Sequence, residues 1–169
     1  MARQDAAPAP LGDASPFRFA VIVSRFNETI TGSLRDAAVA ALTEAGASEA
    51  HVQVFPVPGA FEIPQAARAA AESGRFDAIV CLGCVIRGET PHFEYIASAV
   101  AHGITAAAGE TGVPMAFGVL TTDTAAQAEA RSGPGPDNKG REAAAAAIEM
   151  AAFYKAMSGT SPRPFGFRA

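Results

Sequence analysis

Residues 81–95, CLGCVIRGETPHFEY, crowd several chemically capable groups into a few positions. Arg87 supplies a cation, Gly88 accessible backbone amides, Glu89 a carboxylate, Thr90 a hydroxyl and His92 an imidazole. The apolar run before them reads as a buried strand and the residues after them as a helix. A polar turn between strand and helix places backbone N–H groups where an anion, especially a phosphate, binds. An imidazole titrates near neutrality and suits general acid–base work beside such a site. The alternative for His92 is a surface or capping histidine. Cys81 and Cys84 form C-x-x-C in the same stretch. A redox pair usually sits at a helix start, and a zinc site needs further ligands. Residues three apart on a strand face opposite ways, so both are expected to be small packing residues.

Three further segments carry chemistry. Phe26, beside Asn27, either stacks on a flat heterocycle or packs in the core. Pro58-Gly59-Ala60-Phe61-Glu62 brings amides, an aromatic and a carboxylate to a helix start. Glu62 there either accepts hydrogen bonds from a sugar or polyol or complements the helix dipole. Arg131, beyond the last strand, offers a bidentate cation. Neither G-x-x-x-x-G-K-[ST] nor G-x-G-x-x-G occurs.

The elements that must position these residues follow from hydrophobic periodicity. Strands are predicted at 17–24, 51–57, 77–86 and 114–120, the third nearly all apolar and therefore central. Helices are predicted at 30–45, 61–73, 93–109, 125–130 and 139–157, with Pro64 in a first turn where proline is tolerated. SGPGPDN, at 132–138, reads as a loop. Such alternation predicts an α/β class, a three-layer α/β/α arrangement around a four-stranded parallel sheet with right-handed crossovers. Ligands then bind at the carboxyl ends of the strands, which gathers 25–27, 58–62, 84–92 and 120–123 on one rim.

The 169 residues suit one domain with a sizeable core. The apolar fraction of 49% is rich in alanine, which favours helices packed closely on a sheet. Net charge is −4 with a pI near 5.3 and no basic run, which argues against nucleic acid. No run of 18 apolar residues occurs, so no membrane span is expected. Residues 1–16 lack the apolar core of a signal peptide and read as a flexible arm, which points to the cytosol. The expected division is an arm at 1–16, one domain at 17–157 and a tail at 158–169.

With these segments in order, the chain resembles the lumazine synthases of riboflavin biosynthesis, from about residue 17 to 157. The resemblance rests on RFN at 25–27, VPGAFEIP at 57–64, LGCVIRGETPHFEY at 82–95, FGVLTTDT at 117–124 and NKG at 138–140. Their joint order and spacing is highly specific. It implies a flavodoxin-like fold. It implies an enzyme that joins 5-amino-6-ribitylaminouracil to 3,4-dihydroxy-2-butanone 4-phosphate without a metal or redox cofactor. Phe26 would stack on the pyrimidine, and Ala60, Phe61 and Glu62 would hold ring and ribityl chain. Cys84, Val85 and Ile86 would present backbone to the ring. Glu89 and Thr90 would hold the phosphate, and His92 would move protons. Phe117, Arg131 and Lys139 would arrive from a neighbouring subunit, Arg131 as the phosphate's cationic clamp. The family forms pentamers, some of which build decamers or sixty-subunit shells. SGPGPDN keeps the family's usual loop length but lacks its lysine, which leaves the larger assemblies open. A non-catalytic flavin or lumazine binder would have no need of His92 and Arg131. A phosphosugar isomerase would leave RFN and PGAFE without a purpose. A scaffold role is compatible with the enzyme. The resemblance gives Arg87 no role.

Overall fold

β-branched and aromatic side chains make residues 19–24, FAVIVS, a strand buried along its whole length. The computed structural model describes residues 10–159. In it, β1 (Phe19–Ser24), β2 (Val52–Val57), β3 (Ala78–Ile86) and β4 (Met115–Thr122) form one parallel sheet in the order β2-β1-β3-β4. Helices α1 (Glu28–Glu44), α2 (Ile63–Glu72), α3 (His92–Thr111), α4 (Ala125–Ser132) and α5 (Lys139–Ser158) connect and cover it. Short 3-10 turns at Glu49–His51 and Ala60–Glu62 lead into β2 and α2.

Alternate strand residues face opposite layers. Phe19, Val21 and Val23 meet Leu34, Leu42 and Ile148 beneath α1 and α5. Ala20, Ile22 and Ile79 meet Ile63, Val100 and Ile104 beneath α2 and α3. This is the expected three-layer α/β/α, flavodoxin-like arrangement. α1 and α5 approach so closely that a Cβ on Gly140 would stand 2.0 Å from the Leu34 carbonyl oxygen. That position admits only glycine. Ala143, Ala144, Ala147 and Ala151 continue the same narrow stripe. α3 ends where Gly112 takes φ 68°, a left-handed conformation with no Cβ penalty.

The expected arm boundary at residue 16 shifts. Ala14 is fully buried, its N–H donates to Ala45 O at 2.9 Å, and Leu11 packs on the α1/α5 layer. Small apolar side chains dock this stretch despite its polar neighbours. Residues 1–9, and the expected tail from 160 onward, lie outside the described residues.

Two features of the sheet shape a site. The chain steps from β1 outward to β2, then returns past β1 to β3, so the order reverses between β1 and β3. Ligand crevices in open α/β sheets form at such a reversal. In addition, β3 overruns β1. Its pairing with β1 stops at Val23–Leu82, while its pairing with β4 continues to Ile86–Thr122.

Candidate active site

A cavity of about 310 Å³ opens at that reversal. Phe26 enters it from the end of β1 and is 70% exposed, which removes the core alternative. Asn27 produces this exposure. It adopts φ 60°, ψ 49°, which asparagine tolerates better than most residues, and its Nδ2 donates to Cys84 O at 3.1 Å. The turn is thereby pinned to β3 while Phe26 stays out of the core. Ala60, Phe61 and Glu62 line the cavity from the turn before α2, with Phe61 57% exposed. The Glu62 side chain makes no capping bond to the helix and lies back toward Gly59. Its oxygens are not committed to the α2 terminus.

Cys84, Val85 and Ile86 form the floor. Because β3 overruns β1 there, its β1-side backbone edge has no strand partner among the described residues and can face a planar ligand. The Cys84 carbonyl is already taken by Asn27. Gly88, Thr90 and His92 form one wall, and Phe93 and Ile96 complete it. His92 is the first residue of α3 and is exposed. The N-cap of this long helix is Pro91, and no side chain caps it. The Glu94 N–H turns back to Pro91 O at 3.1 Å, which leaves the amides of His92 and Phe93 for a ligand or water. Glu89 is exposed and does not line the cavity. Its carboxylate would repel a phosphate, so only its backbone can serve an anion. Arg87 does not line it either.

A second cavity, of about 300 Å³, lies between β4, α4 and α5. Phe117, Arg131, Lys139 and Glu142 line it, and it shares no lining residue with the first. Phe117 sits on an edge strand, 47% exposed. Arg131 Nη1 donates to Gln127 O at 2.8 Å, and Lys139 pairs with Glu142. NKG explains itself locally. Asn138 is buried, caps α5 by accepting from Gly140 N–H at 2.8 Å, and holds Ser132 O at 2.8 Å. Gly140 seats the helix on α1, and Lys139 stands half-buried between the two.

Residues 16–155 match the model of 6,7-dimethyl-8-ribityllumazine synthase. The chain belongs to the lumazine synthase family. A 6,7-dimethyl-8-ribityllumazine synthase from Syntrophus aciditrophicus (strain SB) is 54% identical over 137 residues, covering 81% of this chain and 89% of its own.

Seen as a lumazine synthase fold, the structure brings most of the expected site residues into the first cavity. It leaves Phe117, Arg131 and Lys139 in the second and Glu89 in neither. The two cysteines are separated by the sheet, Cys81 toward α2 and α3, Cys84 toward α1 and α5. Burial pushes the Cys81 thiol up to about 12 and the Cys84 thiol to about 11, so both stay neutral at physiological pH. Sequence reasoning missed the pinning by Asn27 and the wall made by Phe93 and Ile96. The stripe of Phe93, Ile96, Val100 and Ile104 was visible, but its first turn overshoots the sheet and lines the cavity rather than the core.

Proposed function

We propose that the two cavities are complementary halves of one active site, closed between neighbouring subunits of a pentamer-based homo-oligomer in the cytosol. Family membership makes the chain a transferase of riboflavin biosynthesis. It condenses 5-amino-6-ribitylaminouracil with 3,4-dihydroxy-2-butanone 4-phosphate and releases the ribityllumazine, phosphate and two waters.

In the first half, Phe26 stacks on the pyrimidine, and the backbone edge of Cys84, Val85 and Ile86, apart from the Cys84 carbonyl held by Asn27, bonds its polar rim. Glu62 accepts from ribityl hydroxyls beside Ala60 and Phe61. Thr90, the backbone at Glu89 and the uncapped start of α3 receive the phosphate. In the second half, the neighbour's Arg131 clamps that phosphate, with Lys139 and Phe117 beside it. The 5-amino group attacks the butanone carbonyl, and loss of water gives an imine. Phosphate then leaves by elimination, and the second amine closes the ring with loss of the other water. His92, between the pyrimidine floor and the phosphate wall, carries protons at these steps. Much of the acceleration comes from holding two substrates together.

The observation that carries the sharing is that one chain's aromatic-and-carboxylate cavity and its cationic cavity have no wall in common. Incubating both substrates with the protein and following the lumazine chromophore tests the activity. A rate no higher than the spontaneous reaction overturns it. Light scattering at the mass of a single 17.2 kDa chain overturns the sharing.

A further inference from the structure

Arg87 is the first residue past β3, and its N–H extends the ladder by donating to Thr122 O at 2.9 Å. Its side chain then turns away from the cavity. Nε donates to Asp123 Oδ1 at 2.7 Å, and Nη1 is hydrogen-bonded to Glu94 Oε1. The guanidinium also lies over the Phe93 ring, 4.4 Å from its centroid. One planar fork thus joins the end of β3, the residue after β4 and the first turn of α3.

What this clasp encloses is the segment 88–91, with Thr90 inside it and His92 immediately beyond. Among the described residues, no side chain caps the start of α3. The contacts of Arg87 with Phe93 and Glu94 therefore hold that helix start from its far side. The charge pattern fits a fastener rather than a ligand. Two carboxylates face one guanidinium, so its positive charge is already answered. The Glu94 carboxyl is held below its ordinary range, chiefly by the hydrogen bond from Arg87. Asp123 is anchored in turn, its N–H donating to Gln127 Oε1 at 2.9 Å.

We propose that Arg87 is a positioning residue: it fixes segment 88–91 and His92 against the strand ends and does not itself bind the phosphate. This rests on the reading of the first cavity given above. The ion pairs involved are exposed and Phe93 is only half-buried, so variants are expected to fold. Arg87→Gln should raise KM for the phosphorylated butanone and lower kcat, each by about tenfold, because misplaced groups lose the benefit of orientation. KM for the ribitylated pyrimidine should move less than about twofold by the same reasoning. Arg87→Lys should not rescue, since an ammonium cannot span Asp123 and Glu94 as the fork does.

Asp123→Asn and Glu94→Gln decide between positioning and direct binding. If Arg87 positions the segment, each raises KM for the phosphorylated substrate, and neither adds fully to Arg87→Gln. If Arg87 bound phosphate, releasing it from its carboxylates would leave that KM unchanged or lower it, and Arg87→Lys would retain most activity. Either result overturns the proposal. Hydrogen–deuterium exchange separates this from the proposed reaction itself. Arg87→Gln should speed amide exchange across 88–94 and leave β1 and β2 unchanged, whether or not lumazine forms. Exchange at 88–94 identical to the unaltered protein overturns the clasp on its own.

Discussion

The cavity beside Phe26 and the cavity beside Phe117 are nearly equal in volume, about 310 and 300 Å³, yet opposite in chemistry. The first is built of aromatics, bare strand edge, one carboxylate and one imidazole. The second holds two cations, Arg131 and a Lys139 paired with Glu142, and an aromatic on an edge strand. Their supports differ as well. The first depends on turns at strand ends, held by Asn27 and by the clasp of Arg87. The second depends on the rigid seam between α1 and α5. On the proposed reading, the surface for a planar ring and the cationic clamp on the phosphate are thus mounted on separate parts of the chain. Binding the ring and gripping the phosphate should therefore be separable by mutation.

The largest effect is expected at the seam under the second cavity. Gly140→Ala drives a Cβ into the Leu34 carbonyl and should destabilise the fold by about 3 kcal/mol or more. Chemical denaturation measures it, and a loss below about 1 kcal/mol would mean the seam adjusts readily. Next comes the phosphate grip. Arg131→Ala should raise KM for the phosphorylated butanone by about 30- to 100-fold, as for losing a charge-assisted contact, with little change for the pyrimidine. An unchanged KM for that substrate removes Arg131 from the site. In the first cavity, His92→Ala should lower kcat by about tenfold to thirtyfold without abolishing turnover, since orientation supplies much of the rate. Complete loss would make proton transfer the dominant contribution.

The smallest effect concerns surface charge. The Glu94 carboxyl, through Arg87, and the Glu44 carboxyl, through Arg141, sit below their ordinary range in the folded chain. Their ionised forms favour the native state, so this contribution is present above the ordinary carboxylate pKa of about 4.3. It fades as pH falls below that value through the lowered folded pKa. Melting curves between neutral and strongly acidic pH should show a slightly shallower acid-side decline for Glu94→Gln than for the unaltered protein. Exposure of these pairs keeps the difference small.

The elements of this fold were legible because buried parallel strands write long apolar runs and the helices keep a clear period. FAVIVS and AIVCLGCVI needed no further information. The abundance of alanine pointed to helices packed closely on the sheet, but not to the contact of α5 with α1 at Gly140. The site was legible as a set of motifs but not as an arrangement. Strand order and the overrun of β3 past β1 depend on pairing register, which no local pattern encodes. The left-handed Asn27 looks like any polar residue after a strand. Arg87 looked like part of an anion site because its neighbours suit one, while its side chain answers to Asp123, 36 positions away. The docking of Leu11 and Ala14 was hidden by the polar and proline-rich residues around them.

The central claim, that each working site takes its two halves from different subunits, is tested most directly by mixing inactive partners. One variant, Glu62→Ala with His92→Ala, lacks the first half; another, Arg131→Ala with Lys139→Ala, lacks the second. Each alone should make lumazine at close to the spontaneous rate. Co-assembled in equal amounts, random neighbours in a head-to-tail ring restore both intact halves at about one quarter of the sites. Lumazine formation at about that fraction of the unaltered rate is the expected result. Mixed assemblies no faster than either variant alone would place both halves in one subunit and contradict the account.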